Sequence, residues 1–337
     1  MRRRNDLPPP DVPTLMLNYS DTSEPGIVRK KRGAKWHFFM PDGSRITDTI
    51  EIARLNKLAM PPAYERVWYS PDRDSHLQAI GYDAKGRKQY RYHPAFREAR
   101  DGHKYDRCID FGSGLPRVRA RVEADIVLPG LPRDKVLAGI VRLLDQGKIR
   151  VGNEGYAREN NSFGATTLRN RHGAVRGDTV KLDYRGKSGK QQRVAITDKA
   201  LARIVRRCQD LPGQALFQYI GDDGAPHRIG SSEVNAYIQA AMGDGFSAKH
   251  FRTWGASVIA FETIVRTRAP LTLKALLEPV ADALGNTPAI SRRSYVHPKL
   301  LDLVTAGTAF ELAGAALPRA TKYLSGVERG LIGLLEA

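Results

Sequence analysis

Cysteine is scarce in this chain, and its scarcity narrows the chemistry to be expected. The 337 residues include only Cys108 and Cys208, which are too few for a disulfide framework and are not spaced as metal ligands. Because disulfides belong to oxidising compartments, the sequence predicts a reducing, cytoplasmic setting. No cluster of carboxylates suggests a divalent-metal site, so neither a metal ion nor another cofactor is expected.

Long apolar runs are also missing. No stretch approaches the ~20 apolar residues that a membrane-spanning helix needs. The first ten residues are basic and then acidic and proline-rich, without the apolar centre of a signal peptide. We therefore expect a soluble protein with no membrane partner.

Negative charge is in short supply as well. The chain holds 54 Lys and Arg against 36 Asp and Glu, a net charge of +18, which is typical of a protein that binds a polyanion such as nucleic acid. The excess is concentrated in residues 85–107, with eight basic and three acidic side chains, and in residues 142–193, with twelve and five. Tyrosines interleave with the first segment, which suits contacts with a nucleic-acid backbone and its bases.

The length and the hydrophobic content of 41% allow two cores. Residues 1–25 are predicted to be a disordered, proline-rich lead. Residues 26–100 contain short β-rich runs between turns and predict a small β-rich domain. Residues 101–337 are predicted to be mainly α, because apolar residues recur with helical spacing, for example over Lys135–Gln146, where Gly147 ends the pattern.

One segment of this second domain alternates like a strand. Thr179–Tyr184 and Arg193–Ile196 predict a β-hairpin with a basic tip at Gly186–Lys190. The Gly-Lys-Ser at the tip is not a phosphate-binding loop, because Lys181 stands where that motif needs glycine and the segment joins two strands. No nucleotide is therefore expected. The tip is either a solvated turn or a means of delivering Lys187, whose ammonium can donate a proton to a leaving oxygen.

Gly285–Tyr295 sets a tyrosine shortly after an amide in basic sequence. Thr287 and Pro288 predict the start of a helix, with Tyr295 about two turns inside it. A tyrosine held there can attack a phosphodiester, with Asn286, Arg292 and Arg293 meeting the phosphate charge. The alternative is an ordinary core tyrosine on an amphipathic helix.

Two arginines complete a set with these residues. Arg150 follows a predicted helix, and Arg252 lies in an aromatic, basic segment. The order Arg150, Lys187, Arg252, Asn286, Tyr295 resembles the active site of type IB DNA topoisomerases of the poxvirus-like and bacterial branch. Gly81–His93 resembles the DNA-contacting strand of that branch's amino-terminal domain, and the similarity extends over most of residues 26–337.

The resemblance implies a role for each of the five residues. Tyr295 would be the nucleophile that forms a 3′-phosphotyrosyl bond, Arg150 and Arg252 would bind the non-bridging oxygens, and Lys187 would be the general acid on the 5′ oxygen. Asn286 would donate a hydrogen bond to a non-bridging oxygen, although relatives usually carry histidine there, and an amide cannot carry a proton's charge. The candidate DNA-binding side chains are Lys85, Arg87, Lys88, Tyr90, Arg91, Tyr92, Tyr156 and Lys249.

The resemblance also implies a fold and an activity. The fold would be α+β, with the tyrosine recombinase and topoisomerase IB catalytic domain, and the two domains would form a clamp around duplex DNA. A monomer would relax supercoils by transient single-strand cleavage, without ATP or an obligatory metal. A tyrosine recombinase is the alternative enzyme, but it usually has histidine three residues before the second arginine, where this chain has Lys249. A DNA-binding protein that keeps the fold without activity is the third reading.

Overall fold

The chain folds into two units, one up to Lys104 and one over Tyr105–Ala337. A computed structural model describes residues 17–33, 35–84 and 86–337. Most of the predicted disordered lead therefore lies outside the described residues. Within its described part, the backbone N–H of Asn18 donates to the carbonyl of Asp74 at 3.0 Å.

The first unit is built on an antiparallel sheet of five strands in the order β2-β1-β3-β4-β5. The strands are β1 (Ile27–Arg32), β2 (Lys35–Phe39), β3 (Glu65–Tyr69), β4 (Leu77–Tyr82) and β5 (Lys88–Tyr92), with helix α1 (Thr49–Lys57) between β2 and β3. Its core includes Ile27, Phe38, Leu55 and Tyr69. The order makes β5 an edge strand, so one side of its backbone is not paired within the sheet.

The second unit is mainly helical and has a separate, larger core. Its helices, the first of which begins in the first unit, are α2 (Pro94–Asp125), α3 (Arg133–Gly147), α4 (Glu154–Asn160), α5 (Lys199–Gln209), α6 (Ser231–Met242), α7 (Ala248–Arg266), α8 (Leu273–Leu284), α9 (Pro288–Ser294), α10 (Pro298–Thr305) and α11 (Gly326–Glu336). The predicted α+β class, with a β-rich unit followed by a helical one, is confirmed. Across the described ranges, no helix is long and apolar enough to cross a membrane.

Helix α3 shows how the sequence determines an element here. Val136, Ile140 and Leu144 recur every four residues and are all fully buried, as the periodicity predicts. The helix ends because Lys148 adopts a left-handed conformation, with φ of 50°. Helix α7 packs against α3, α8 and α11, which makes it the centre of this unit.

The predicted hairpin is present as β7 (Thr179–Arg185) and β8 (Gln191–Thr197), with Tyr184 opposite Gln192. A third strand, β6 (Gly173–Arg176), pairs with β7 and was not predicted, and neither was the short pair β9 (Gln218–Ile220) and β10 (Pro226–Arg228). The hairpin tip is an ordered turn, closed by the Gly186 N–H donating to the Lys190 carbonyl at 2.7 Å.

The position of Tyr295 differs from the prediction. Helix α9 begins at Pro288 as expected, but it ends at Ser294, and Tyr295 is its C-cap residue with φ of −134°. The backbone N–H groups of Tyr295 and Val296 both donate to the Ser291 carbonyl at 3.1 Å, which closes the helix after two turns. Tyr295 therefore lies just beyond the helix, not inside it.

Candidate active site

Three of the five predicted catalytic residues lie at or just beyond the ends of helices in the second unit, and a fourth lies inside α7. Arg150 follows α3 by way of the turn at Lys148, and Asn286 follows α8, which ends at Gly285. Arg252 lies early in α7, and Tyr295 caps α9. The turns that follow these helices lie close together, so Arg150 and Tyr295 are neighbours although 145 positions separate them.

Arg150 contacts two of the other residues directly. Its Nη2 donates to Asn286 Oδ1 at 3.1 Å and lies 3.5 Å from the hydroxyl oxygen of Tyr295. The guanidinium carbon of Arg252 lies 4.9 Å from the centroid of the Tyr295 ring. The structure thus brings Arg150, Arg252, Asn286 and Tyr295 into one cluster.

Arg252 is held rigidly. Its side chain is only 4% exposed, its Nη1 donates to the carbonyl of Lys148, and its Nη2 donates to the carbonyl of Leu284 at 3.1 Å. Those two carbonyls stand two residues before Arg150 and two residues before Asn286. One planar guanidinium therefore fixes both turns that carry its neighbours, which an ammonium could not do with the same geometry.

Two donors in the cluster have no acceptor. Among the residues that the structure describes, Arg252 Nε and Asn286 Nδ2 are buried side-chain nitrogens without a hydrogen-bond partner. Buried polar groups are nearly always paired, because leaving one unpaired costs about 1–3 kcal/mol. Two unpaired donors beside two guanidinium charges are typical of a site that receives an anion such as a phosphate.

The electrostatics of the site distinguish two tyrosines. Burial raises the pKa of Tyr295, but the charges of Arg252 and Arg150 outweigh it, so the pKa of its hydroxyl is lower than usual. Tyr184 on β7 feels the same two arginines but is only 3% exposed, and burial raises its pKa to about 12. Tyr295 is thus the phenol that ionises more easily.

Lys187 is not part of the cluster. It lies at the tip of the β7–β8 hairpin, and its side chain is exposed. No contact described here joins it to Arg150, Arg252, Asn286 or Tyr295. Of the five predicted catalytic residues, it alone would have to approach a bound substrate from the solvent side of the turn.

The predicted DNA-binding residues on β5 divide between its two faces. Lys88, Tyr90 and Tyr92 share one face, where the Lys88 ammonium lies 5.5 Å from the Tyr90 ring and the rings of Tyr90 and Tyr92 stack with centroids 5.9 Å apart. Arg91 lies on the opposite face and donates from Nε to the Leu58 carbonyl at 3.2 Å. Arg87 is paired with Asp83 at 2.7 Å, and Lys85 lies outside the described residues.

Two further predicted DNA-binding residues lie on helices of the second unit. Lys249 is exposed in the first turn of α7, three residues before Arg252. Tyr156 is half-buried in the first turn of α4, where its N–H donates to the capping Asn153 Oδ1 at 3.0 Å. Arg292 and Arg293, on α9, are both exposed.

Comparison with known proteins identifies the family. A family model described as eukaryotic DNA topoisomerase I, catalytic core, matches residues 93–294, and one described as bacterial DNA topoisomerase IB, N-terminal domain, matches residues 35–83. DNA topoisomerase 1B of Acanthamoeba polyphaga mimivirus is 33% identical over 292 residues, covering 82% of this chain and 87% of that protein. The chain belongs to the type IB DNA topoisomerase family.

More distant similarities are also found. DNA topoisomerase I of Monkeypox virus is 24% identical to this type IB family member over 252 residues, or 72% of this chain and 76% of that protein. Among solved structures, the XerH site-specific recombinase bound to a palindromic difH substrate aligns with a TM-score of 0.38 and 16% identity, over 58% of this chain and 51% of that one.

Sequence reasoning missed two buried polar residues of this topoisomerase-family chain that adjoin the cluster. Tyr184 is one, and Gln192, 8% exposed on β8 opposite it, is the other. The alternation of β8 could have revealed Gln192, because it places this amide on the same face of the strand as the apolar Val194 and Ile196. A glutamine at such a position needs polar partners inside the protein.

Proposed function

We propose that this type IB topoisomerase relaxes supercoiled DNA by transient cleavage of one strand through a 3′-phosphotyrosyl intermediate at Tyr295. The observation that carries the proposal is the Tyr295 hydroxyl, 3.5 Å from Arg150 and beside the guanidinium of Arg252, next to two unpaired donors. A nucleophile, two fixed cations and free donors in one cluster are the components that a phosphodiester transfer requires.

The chemistry follows from these positions. The Tyr295 hydroxyl gives its proton to solvent water, and its oxygen attacks the phosphorus and displaces the 5′ oxygen, which takes a proton from Lys187 and leaves as a hydroxyl. Negative charge on the non-bridging oxygens is met by Arg150, Arg252 and the free Asn286 Nδ2. Guanidinium groups supply the charge that a metal ion supplies in other phosphoryl-transfer sites.

Relaxation needs no external energy in this scheme. The phosphotyrosyl ester conserves the energy of the broken bond, so the free 5′ end can rotate and its hydroxyl can then attack the ester and reseal the strand. We therefore propose activity without ATP and without an obligatory metal, in a cytoplasmic monomer acting on duplex DNA. The net charge of +18 supports such a polyanionic partner.

The test is relaxation of supercoiled plasmid with EDTA present and ATP absent, followed by denaturing capture of the protein–DNA adduct. The parent should relax the plasmid and form an adduct. Tyr295→Phe should abolish both while binding duplex nearly as tightly, because the hydroxyl contributes little to the electrostatic affinity. Tyr184→Phe is the matched control and should still form the adduct. An adduct on the Tyr295→Phe variant would disprove the assignment of the nucleophile.

A further inference from the structure

A buried glutamine lies between the hairpin and the turn that carries Asn286. Gln192 is on the inward face of β8 with Val194 and Ile196, while its neighbours Gln191 and Arg193 are exposed. An amide in that position is costly unless its polar atoms are paired. Its contacts therefore indicate what keeps a polar side chain there.

Towards the cluster, the Gln192 side chain contacts the residue before Asn286. Its Nε2 donates to the Gly285 carbonyl at 3.3 Å, and that carbonyl belongs to the peptide group whose nitrogen is Asn286 N. Gly285 has φ of 59°, and a β-carbon on it would collide with the Gln192 amide. The glutamine therefore packs directly against the peptide plane from which Asn286 extends.

Towards the hairpin tip, the same side chain contacts the residue before Lys187. A β-carbon on Gly186 would lie 2.8 Å from Gln192 Cγ, closer than such atoms normally approach. Gly186 is buried, while Lys187, Ser188 and Gly189 are exposed. The stem of Gln192 therefore supports the base of the turn that presents Lys187.

We propose that Gln192 is a positioning residue that sets both Asn286 and Lys187 relative to the scissile phosphate. Its amide orients Asn286 through the Gly285 carbonyl, and its stem orients Lys187 through Gly186. The side chain of Asn286 accepts a hydrogen bond from Arg150, so the contact between Gln192 and Gly285 also affects the position of that guanidinium. The inference rests on the proposed function, because it needs Lys187 to be the proton donor and Asn286 to be a phosphate ligand.

Two substitutions separate these two effects. Gln192→Met keeps an unbranched stem against Gly186 but loses the hydrogen bond to Gly285, whereas Gln192→Ala loses both contacts. Each full-length variant is assayed for single-turnover adduct formation on two duplexes, one with the natural 5′ oxygen leaving group and one with sulfur in its place. Sulfur leaves without a proton, so a defect that acts through Lys187 should disappear on the sulfur duplex.

Gln192→Met should form the adduct about 10-fold to 100-fold more slowly on both duplexes, because a displaced phosphate ligand affects both. Gln192→Ala should show a further defect on the oxygen duplex only. The control is Gln191→Met, an exposed glutamine on the same strand, which should match the parent. Adduct formation by Gln192→Met at the parental rate on both duplexes would disprove the proposal that Gln192 orients Asn286.

Gly186→Ala gives a second readout if Gln192→Ala does not fold. Its backbone φ of −93° suits any residue, so its effect comes from the collision with Gln192. Its defect should be larger on the oxygen-linked duplex than on the sulfur-linked one, because the collision falls on the turn that presents Lys187. An equal defect of Gly186→Ala on both duplexes would disprove the proposal that Gln192 orients Lys187. A parent that forms no Tyr295 adduct would instead refute the proposed function.

Discussion

At the scale of single residues, the same two cations act on two phenols with opposite results. Arg150 and Arg252 favour the ionised form of both Tyr184 and Tyr295. Tyr184 is almost wholly removed from solvent, and burial raises its pKa to about 12 despite them. Tyr295 keeps partial access, so the cations prevail and its pKa falls. Partial exposure at the end of α9 thus leaves the hydroxyl of Tyr295 with a lowered pKa.

This balance predicts a pH dependence. If the phenolate of Tyr295 is the attacking species, the cleavage rate should rise with pH, reach half its maximum at the pKa of Tyr295 and level off above it. Arg150→Gln removes a positive charge that lowers this pKa, so the midpoint should move to higher pH and the rate at neutral pH should fall. Single-turnover adduct formation measured across the pH range gives the midpoint. Arg266→Gln, at the far end of α7, should not move it, and an unmoved midpoint in Arg150→Gln would contradict the tuning role.

At the scale of elements, the sequence patterns predicted those helices and strands whose form depends on residues close together in the chain. The face of α3 and the β7–β8 hairpin followed from periodicity, because each buries a row of side chains spaced by its own geometry. The end of α9 did not follow, since it depends on two N–H groups converging on the Ser291 carbonyl. The contacts of Gln192 could not be predicted either, because its partners Gly186 and Gly285 meet it only in the folded chain.

The hairpin carries a prediction of its own. Lys187→Ala should slow cleavage strongly on a duplex with an oxygen leaving group and much less on one with sulfur, because only oxygen needs a general acid. Lys190→Ala is the matched control on the same tip, where the Lys190 carbonyl that closes the turn is retained. Equal defects of Lys187→Ala on the two duplexes would mean that Lys187 only binds phosphate or supports the fold.

Helix α11, which follows Tyr295 in the chain, is tied to the core by a buried ion pair. Glu328 is 8% exposed and accepts from Arg119 at 2.8 Å and from Trp254 Nε1 at 3.2 Å, and Arg119 also pairs with Asp145 at 2.8 Å. Trp254 lies on α7, two residues after Arg252. The C-terminal helix therefore contributes to the stability of the helix that carries a candidate phosphate ligand.

Glu328→Gln should lower the free energy of unfolding by about 1.5–3 kcal/mol at neutral pH, the contribution of a hydrogen bond to a charged group. The loss should be no larger, because Arg119 keeps Asp145 as a partner. Burial raises the pKa of Glu328, but the hydrogen bond and charge of Arg119 lower it by more, so the pKa is below its usual value. The stabilisation is then present above the unfolded pKa of ~4.3 and is lost as the pH falls through the folded pKa. Denaturant unfolding at several pH values should show the difference between parent and variant shrinking on acidification. Glu336→Gln, exposed on the same helix, should unfold like the parent at every pH, and a constant gap for Glu328→Gln would contradict the ion-pair account.

At the scale of the whole molecule, the two units contribute different kinds of side chain. The second unit holds the cluster of cations and phenol, while the first presents Lys88, Tyr90 and Tyr92 on one face of an edge strand. Composition predicted a polyanionic partner, because net charge is a sum over residues and needs no fold. It did not show which basic side chains are already engaged, such as Arg87 with Asp83, since ion pairs depend on the folded positions.

Binding of non-specific duplex should therefore depend steeply on salt, with the logarithm of the affinity falling linearly as the logarithm of salt concentration rises. Each phosphate contact contributes about one unit to the slope, because binding releases the counterions that the phosphate had held. Lys88→Gln should weaken binding to all sequences alike and reduce the slope by about one. Lys57→Gln, exposed on α1 of the same unit, removes the same charge away from β5 and controls for net charge alone. Fluorescence anisotropy over a salt series gives both slopes, and if the two variants lose the same slope, the affinity comes from overall charge and the face of β5 has no specific part in it.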